Sequence, residues 1–305
     1  MDGVAARHSW LPALAGRKRT AFKHWIGSHS LPAKAGSYKT TTTMNQAPQT
    51  PPPAPSQTPR PGPPQTPAAP LPTLEQSFEL LKEFKLGTDS TGLIPIERAV
   101  MEVHGNETAR AALEKRLVAY LGSSYSSVTR AFVCRQLVLI ASAASVAAVT
   151  PLILDDELSV HARNVLEHIP GPESEKALRD ALGQAKGRTR IGVINSLAAR
   201  RDAASTPALI KILGEDPESA AAAAKALGEI GTPEAAKALT AARGKGPAPV
   251  QQAVVDGTLI CADRLVAAGQ RSQAITLIEG LTDASQPEHV RAAAKRMLSA
   301  VTRKS

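Results

Sequence analysis

A chain of 305 residues, 43% of them apolar, is long enough to bury a substantial core in one elongated body. Its formal net charge of +9 is concentrated at the start: Arg7, Arg17, Lys18, Arg19, Lys23, Lys34 and Lys39 stand against Asp2 in the first 43 residues, 44–72 adds only Arg60, and the remainder is close to neutral. Neutralising many phosphates takes a dense basic face, so nucleic acid is disfavoured as a partner of the body and stays an alternative only for the basic N-terminal arm.

Taken in chain order, 1–43 mixes basic residues with Gly, Ser and Thr and shows no sustained periodicity. A secretory signal is not legible, because Lys23, His24 and His29 interrupt the stretch after Arg17-Lys18-Arg19, and this leaves the cytoplasm as the default compartment. Met44 stands just before the next segment, so translation starting there would remove the arm. Residues 48–72 carry twelve prolines, which forbid helix and favour an extended polyproline conformation. The division expected is therefore a disordered basic then Pro-rich tail and linker over 1–72, and a folded body over 73–305.

From Thr73 onward, helical patterns alternate with Gly, Pro and Asp punctuation, and an internal repeat emerges. Leu137, Leu166, Leu197 and Leu227 recur at steps of 29, 31 and 30, and the same steps relate Val149, Leu178, Leu209 and Leu239. Seven residues before each member of the second column stand Ser142, Gly171, Asp202 and Thr232, all residue types suited to a helix N-cap. Gly171-Pro172-Glu173 and Thr232-Pro233-Glu234 add Pro at the first helical position and an acid at the positive end of the dipole.

The unit is a first helix, a turn, a shorter second helix and a link, and one pair buries its faces only by stacking on its neighbours. Repeats are expected near 124–155, 156–186, 187–215 and 216–245. A divergent leading repeat fills 74–121, a longer pair 247–282, and a closing helix 286–301. Ala220 to Leu227 is expected to form the thinnest layer, because Ala lets helices approach closely. Leu137 to Leu154 has no charged residue, but Ser142, Ser145, Thr150 and Pro151 and the repeat register argue against a membrane span. Cys134 and Cys261 sit in apolar helical patterns and read as buried small hydrophobes.

The run from Ala222 to Leu239, with Phe132 to Leu137, Val193 to Leu197 and Arg200-Arg201-Asp202, resembles bacterial HEAT-repeat proteins, including those labelled phycobilisome-lyase-like. The resemblance spans about 74–301. It implies an all-α solenoid of stacked antiparallel helix pairs, a superhelix of the HEAT and armadillo kind. Functionally it implies a scaffold that binds a protein partner through the solenoid surface; the alternative is an accessory or catalytic subunit of the HEAT-like lyase class, whose members attach bilins.

No nucleophile elbow, phosphate-binding loop or dinucleotide fingerprint occurs, so no enzyme activity, cofactor, metal or small-molecule substrate is expected. His161 and His168 lie seven apart, not at the i, i+4 spacing of a zinc helix. Candidate partner contacts are Lys186, Arg188, Arg190, Arg200 and Arg201, at the ends of one helix pair. Arg200 occupies a column otherwise filled by Ile140, Ile169 and Ile230, and pairing with Asp202 is one expectation for it. Lys176, Lys211 and Lys237 recur on successive second helices, the inner wall in HEAT proteins, with Arg179 beside them.

Overall fold

The computed structural model describes residues 70–303, and every regular element among them is helical. The expectations for the basic arm and most of the proline-rich linker fall on 1–69 and lie outside the described residues.

Helix α1 (Leu74–Lys82) opens on Thr73, whose hydroxyl accepts from the Gln76 N–H while the Gln76 side chain accepts from the Thr73 N–H. This reciprocal cap satisfies two free donors of the first turn. Helices α2 (Ile94–Glu102) and α3 (Glu107–Val118) follow. The leading segment thus holds three helices where one divergent pair was expected. Gly105 in the left-handed region, followed by Asn106 as an N-cap, supplies the extra break.

The repeats follow as α4 (Ser127–Ile140), α5 (Val146–Val149), α6 (Ser159–His168), α7 (Pro172–Gln184), α8 (Gly187–Arg200) and α9 (Thr206–Glu215). Beyond these come α10 (Ala220–Ile230), α11 (Pro233–Ala242), α12 (Ala248–Ala267), α13 (Arg271–Glu279) and α14 (Glu288–Arg303). The four leucines at 137, 166, 197 and 227 and the column Val149, Leu178, Leu209 and Leu239 are all completely buried. One continuous apolar core runs from Phe78 to Val301.

First helices α4, α6, α8, α10 and α12 pack on one another in succession; α7 and α11 each pack against their own first helix and the next, while α9 packs on α10. The second helix after α4 is the irregular one: α5 is flanked by tighter turns at 143–145 and 150–154. Pro151 has no N–H to give to the helix, and the Thr150 hydroxyl donates to the Val146 carbonyl at 2.7 Å. The uncharged stretch 137–154 is therefore divided between α4 and this broken element, and no helix among the described residues is long and apolar enough to cross a membrane.

Helices α10 and α12 approach each other backbone to backbone. A Cβ on Gly228 would stand 2.5 Å from the Gly257 carbonyl oxygen, and one on Gly257 would stand 2.5 Å from the Ala224 carbonyl oxygen. The Ala-rich helix is thus the site of backbone-to-backbone packing, as its composition suggests. Cys134 and Cys261 are completely buried free thiols, and burial pushes their pKa values up to about 12 and about 11.

Candidate partner-binding surface

Three of the arginines singled out in the sequence tie one repeat to the next. Arg200 is about 10% exposed, and its Nη1 donates to the carbonyls of Leu166, Glu167 and Ile169 at 2.7–3.0 Å, closing the C-terminus of α6. Its Nη2 reaches the Gly171 carbonyl and Glu175 Oε1, both at 3.3 Å. A cation is favoured there because the last carbonyls of a helix carry the negative end of its dipole.

Arg200 does not meet Asp202. That carboxylate is buried and accepts from Arg179 at 2.6 Å, which draws it away from the N-cap role that its position suggested. The other cap positions behave as expected in two cases: the Ser142 hydroxyl accepts from the Ala144 N–H and the Thr232 hydroxyl from the Ala235 N–H. Arg190 donates to the Ala185 carbonyl at 2.7 Å and to Asp216 at 2.8 Å. The Arg190 hydrogen bond, with that from the Ser219 N–H, holds the Asp216 carboxyl below the usual range.

The remaining candidates face solvent. Lys186 and Arg188 lie at the start of α8 and Arg201 at its end, separated by a helix of roughly 20 Å, so the five basic residues form two groups and not one. Lys176 and Lys211 are exposed but pair one turn on, with Asp180 at 2.5 Å and Glu215 at 3.8 Å. Lys237 is exposed on α11 and makes no ion pair among the described residues. His161 and His168 stand at opposite ends of α6; burial, with a smaller push from Arg135, lowers the pKa of His161, and His168 Nδ1 lies 2.8 Å from the Asn164 carbonyl.

The second helices touch one another less extensively than the first helices do, and grooves lie between them. Between α7 and α9 lies a space of about 400 Å³ lined by Arg179, Leu182, Arg190, Lys211 and Ile212 among others. Between α9 and α11 a space of about 370 Å³ is walled by Ile210, Leu213, Ala238, Ala241 and Val250. The largest of the three, about 690 Å³, separates α11 from α13 and is floored by Ala236, Ala241 and Leu277. All three open to solvent along the second helices, so Lys176, Arg179, Lys211 and Lys237 belong to one continuous series of helices.

Several polar ties escape a reading of the sequence. Glu114 is almost fully buried and accepts from the Ser142 N–H at 2.7 Å and the Ser145 hydroxyl at 2.6 Å, capping the first turn after Ala141 from another repeat. Arg110 joins it and closes α4 through the Ile140 carbonyl at 2.7 Å. Arg163 lies across Gly192, donating to its carbonyl at 2.9 Å and to the Ser196 hydroxyl at 3.1 Å. Interior glycines at 192, 228 and 257 were the available signal, because Gly inside a helix costs stability unless something must pass close by.

Residues 177–257, from within α7 to within α12, match the family described as HEAT repeats. Among solved structures, the chain is similar to the complex of CpcE and CpcF of phycocyanin lyase from Nostoc sp. PCC7120, at 17% identity and a TM-score of 0.37, covering 79% of this chain and 100% of that one. It is also similar to an engineered protein at 20% identity and a TM-score of 0.27, covering 74% of this chain and 96% of that one. No curated protein matches. The matched segment coincides with successive helix pairs, and residues 177–257 are HEAT repeats.

Proposed function

We propose that this protein is a non-catalytic scaffold that binds another protein along its second helices, α7, α9, α11 and α13. The observation that carries this reading is the series of solvent-open grooves between those helices, which combine apolar side chains such as Leu182, Ile212, Leu213 and Leu277 with charged ones such as Arg179, Lys211 and Lys237. Protein interfaces have this make-up, an apolar floor that excludes water within a polar margin. Arg179, Arg190 and Arg200 serve this role indirectly by fixing the spacing of repeats, whereas Lys176, Lys186, Arg188, Arg201, Lys211 and Lys237 are placed to meet a partner.

The test is affinity capture with the full chain in its native host, comparing wild type with a Lys176→Glu, Lys211→Glu, Lys237→Glu variant. Specific partners retained by wild type and lost by the variant would support the reading. Equal capture by both would remove the second helices from it, and bilin transfer or strongly salt-sensitive DNA binding by the purified chain would favour the lyase or nucleic-acid alternatives.

A further inference from the structure

The α9–α11 groove carries the single cation Lys245, and the other two grooves differ in how their cations are matched. In the α7–α9 groove every basic side chain has a carboxylate: Arg179 has Asp202, Arg190 has Asp216 and Lys211 has Glu215. In the α11–α13 groove the basic side chains are Lys237 and Arg243, and neither forms an ion pair among the described residues. Arg243 is only part-exposed, with Nη1 donating to the Gly280 carbonyl, Nη2 to the Thr240 hydroxyl at 3.3 Å, and a buried Nε–H that meets no acceptor.

The guanidinium lies over Gly280, where a Cβ would come within 3.0 Å of three of its atoms, and so forms the wall between this groove and a smaller cavity of about 500 Å³ on its far side. Glu279 and Asp283 line that far cavity and leave the α11–α13 side without an acid. Burial holds the Arg243 guanidinium below the ordinary arginine value, with no nearby charge opposing the shift. A partly desolvated cation with spare donors is a strong attractor for a carboxylate, since charge-assisted hydrogen bonds gain where water is scarce.

We infer that the groove between α11 and α13 binds an extended acidic segment of a partner protein, with a carboxylate between Lys237 and Arg243 and aliphatic side chains on Ala236, Ala241 and Leu277. This deepens the scaffold reading above and rests on it. Helices of ten and nine residues give a trough roughly 15 Å long, room for about four or five extended residues. Thr240, Ser272, Gln273 and Thr276 along its edges offer side-chain donors and acceptors to the backbone of such a segment.

Random peptides of about ten residues, a little longer than the trough, are displayed and selected on the immobilised full chain, then synthesised and titrated. Selected sequences are expected to carry Asp or Glu beside aliphatic residues. Their affinity is expected to fall about tenfold or more with Lys237→Glu or Ala241→Glu, both at exposed positions, and to stay unchanged with Lys115→Glu, an exposed position on α3. Selection of no peptide, peptides without a carboxylate, or affinity that survives both groove variants overturns the assignment. A native partner that still binds the Lys237→Glu, Ala241→Glu variant leaves the scaffold reading standing and removes this groove, whereas a wild-type chain that captures no partner at all removes the scaffold reading itself.

Discussion

Gly228 and Gly257 face each other across α10 and α12 so closely that a methyl group on either would enter the other helix's backbone. Gly228→Ala is therefore expected to destabilise the protein by about 2–3 kcal/mol, because backbone on both sides cannot yield as a flexible side chain would. Gly183→Ala is the control. That glycine sits in α7 with nothing within 4 Å of where a methyl would stand, so the same change there is expected to be neutral or to stabilise by about 0.5–1 kcal/mol. Urea titrations of the two variants check the contrast.

Arg200 and Arg201 are adjacent and are expected to respond in opposite directions. Arg200→Ala leaves the final carbonyls of α6 without their donor and is expected to cost about 2–3 kcal/mol. Arg201 ends α8 at φ 52°, in the left-handed region, where the following repeat ends α10 with Gly231. Arg201→Gly is expected to stabilise by up to about 1 kcal/mol. Thermal unfolding of both variants is the measurement, and loss of stability in Arg201→Gly would contradict the assignment of strain.

Asp216 provides a pH signature. Its folded pKa lies below the unfolded value, chiefly through the Arg190 hydrogen bond, so its contribution is complete above the unfolded pKa and is lost as pH falls through the folded one. Asp216→Asn is expected to lower stability modestly at pH 7, by about 1 kcal/mol or less for a part-exposed pair. The gap between wild type and variant is expected to close below about pH 4, as the free carboxylate value is passed. Denaturant midpoints measured from about pH 7 to about pH 3 test this.

Both thiols are expected to be inert in the folded state. With pKa values pushed up to about 12 and about 11 and no solvent contact, Cys134 and Cys261 offer almost no thiolate at about pH 8. Reaction with a disulfide reagent is expected only after denaturation, and rapid labelling of either thiol in the native protein would show that its helix opens locally.

What could be read from the amino acids follows from the range over which each interaction acts. The leucine columns and the caps at Ser142 and Thr232 depend on residues near in sequence, so their period alone exposes the stack. The role of Arg200 depends on carbonyls more than thirty positions away, at Leu166 and Glu167, and Asp202 is claimed by Arg179 from the preceding helix pair. Such ties need the curvature and offset of the layers, which local pattern does not contain. The same holds for Glu114, an acid in an exposed-looking stretch that the fold buries against Ser142 and Ser145. Lys237 was recognisable as one of a series; what distinguishes it, the neighbouring unmatched Arg243, became visible only once α11 and α13 were placed side by side.

The most direct test of a partner-binding second-helix face is hydrogen exchange on the full chain, alone and with its captured native partner. Slowed exchange concentrated in α7, α9, α11 and α13 is the predicted result. Protection confined to the first helices α4, α6, α8, α10 and α12, or to residues 1–69, would contradict it.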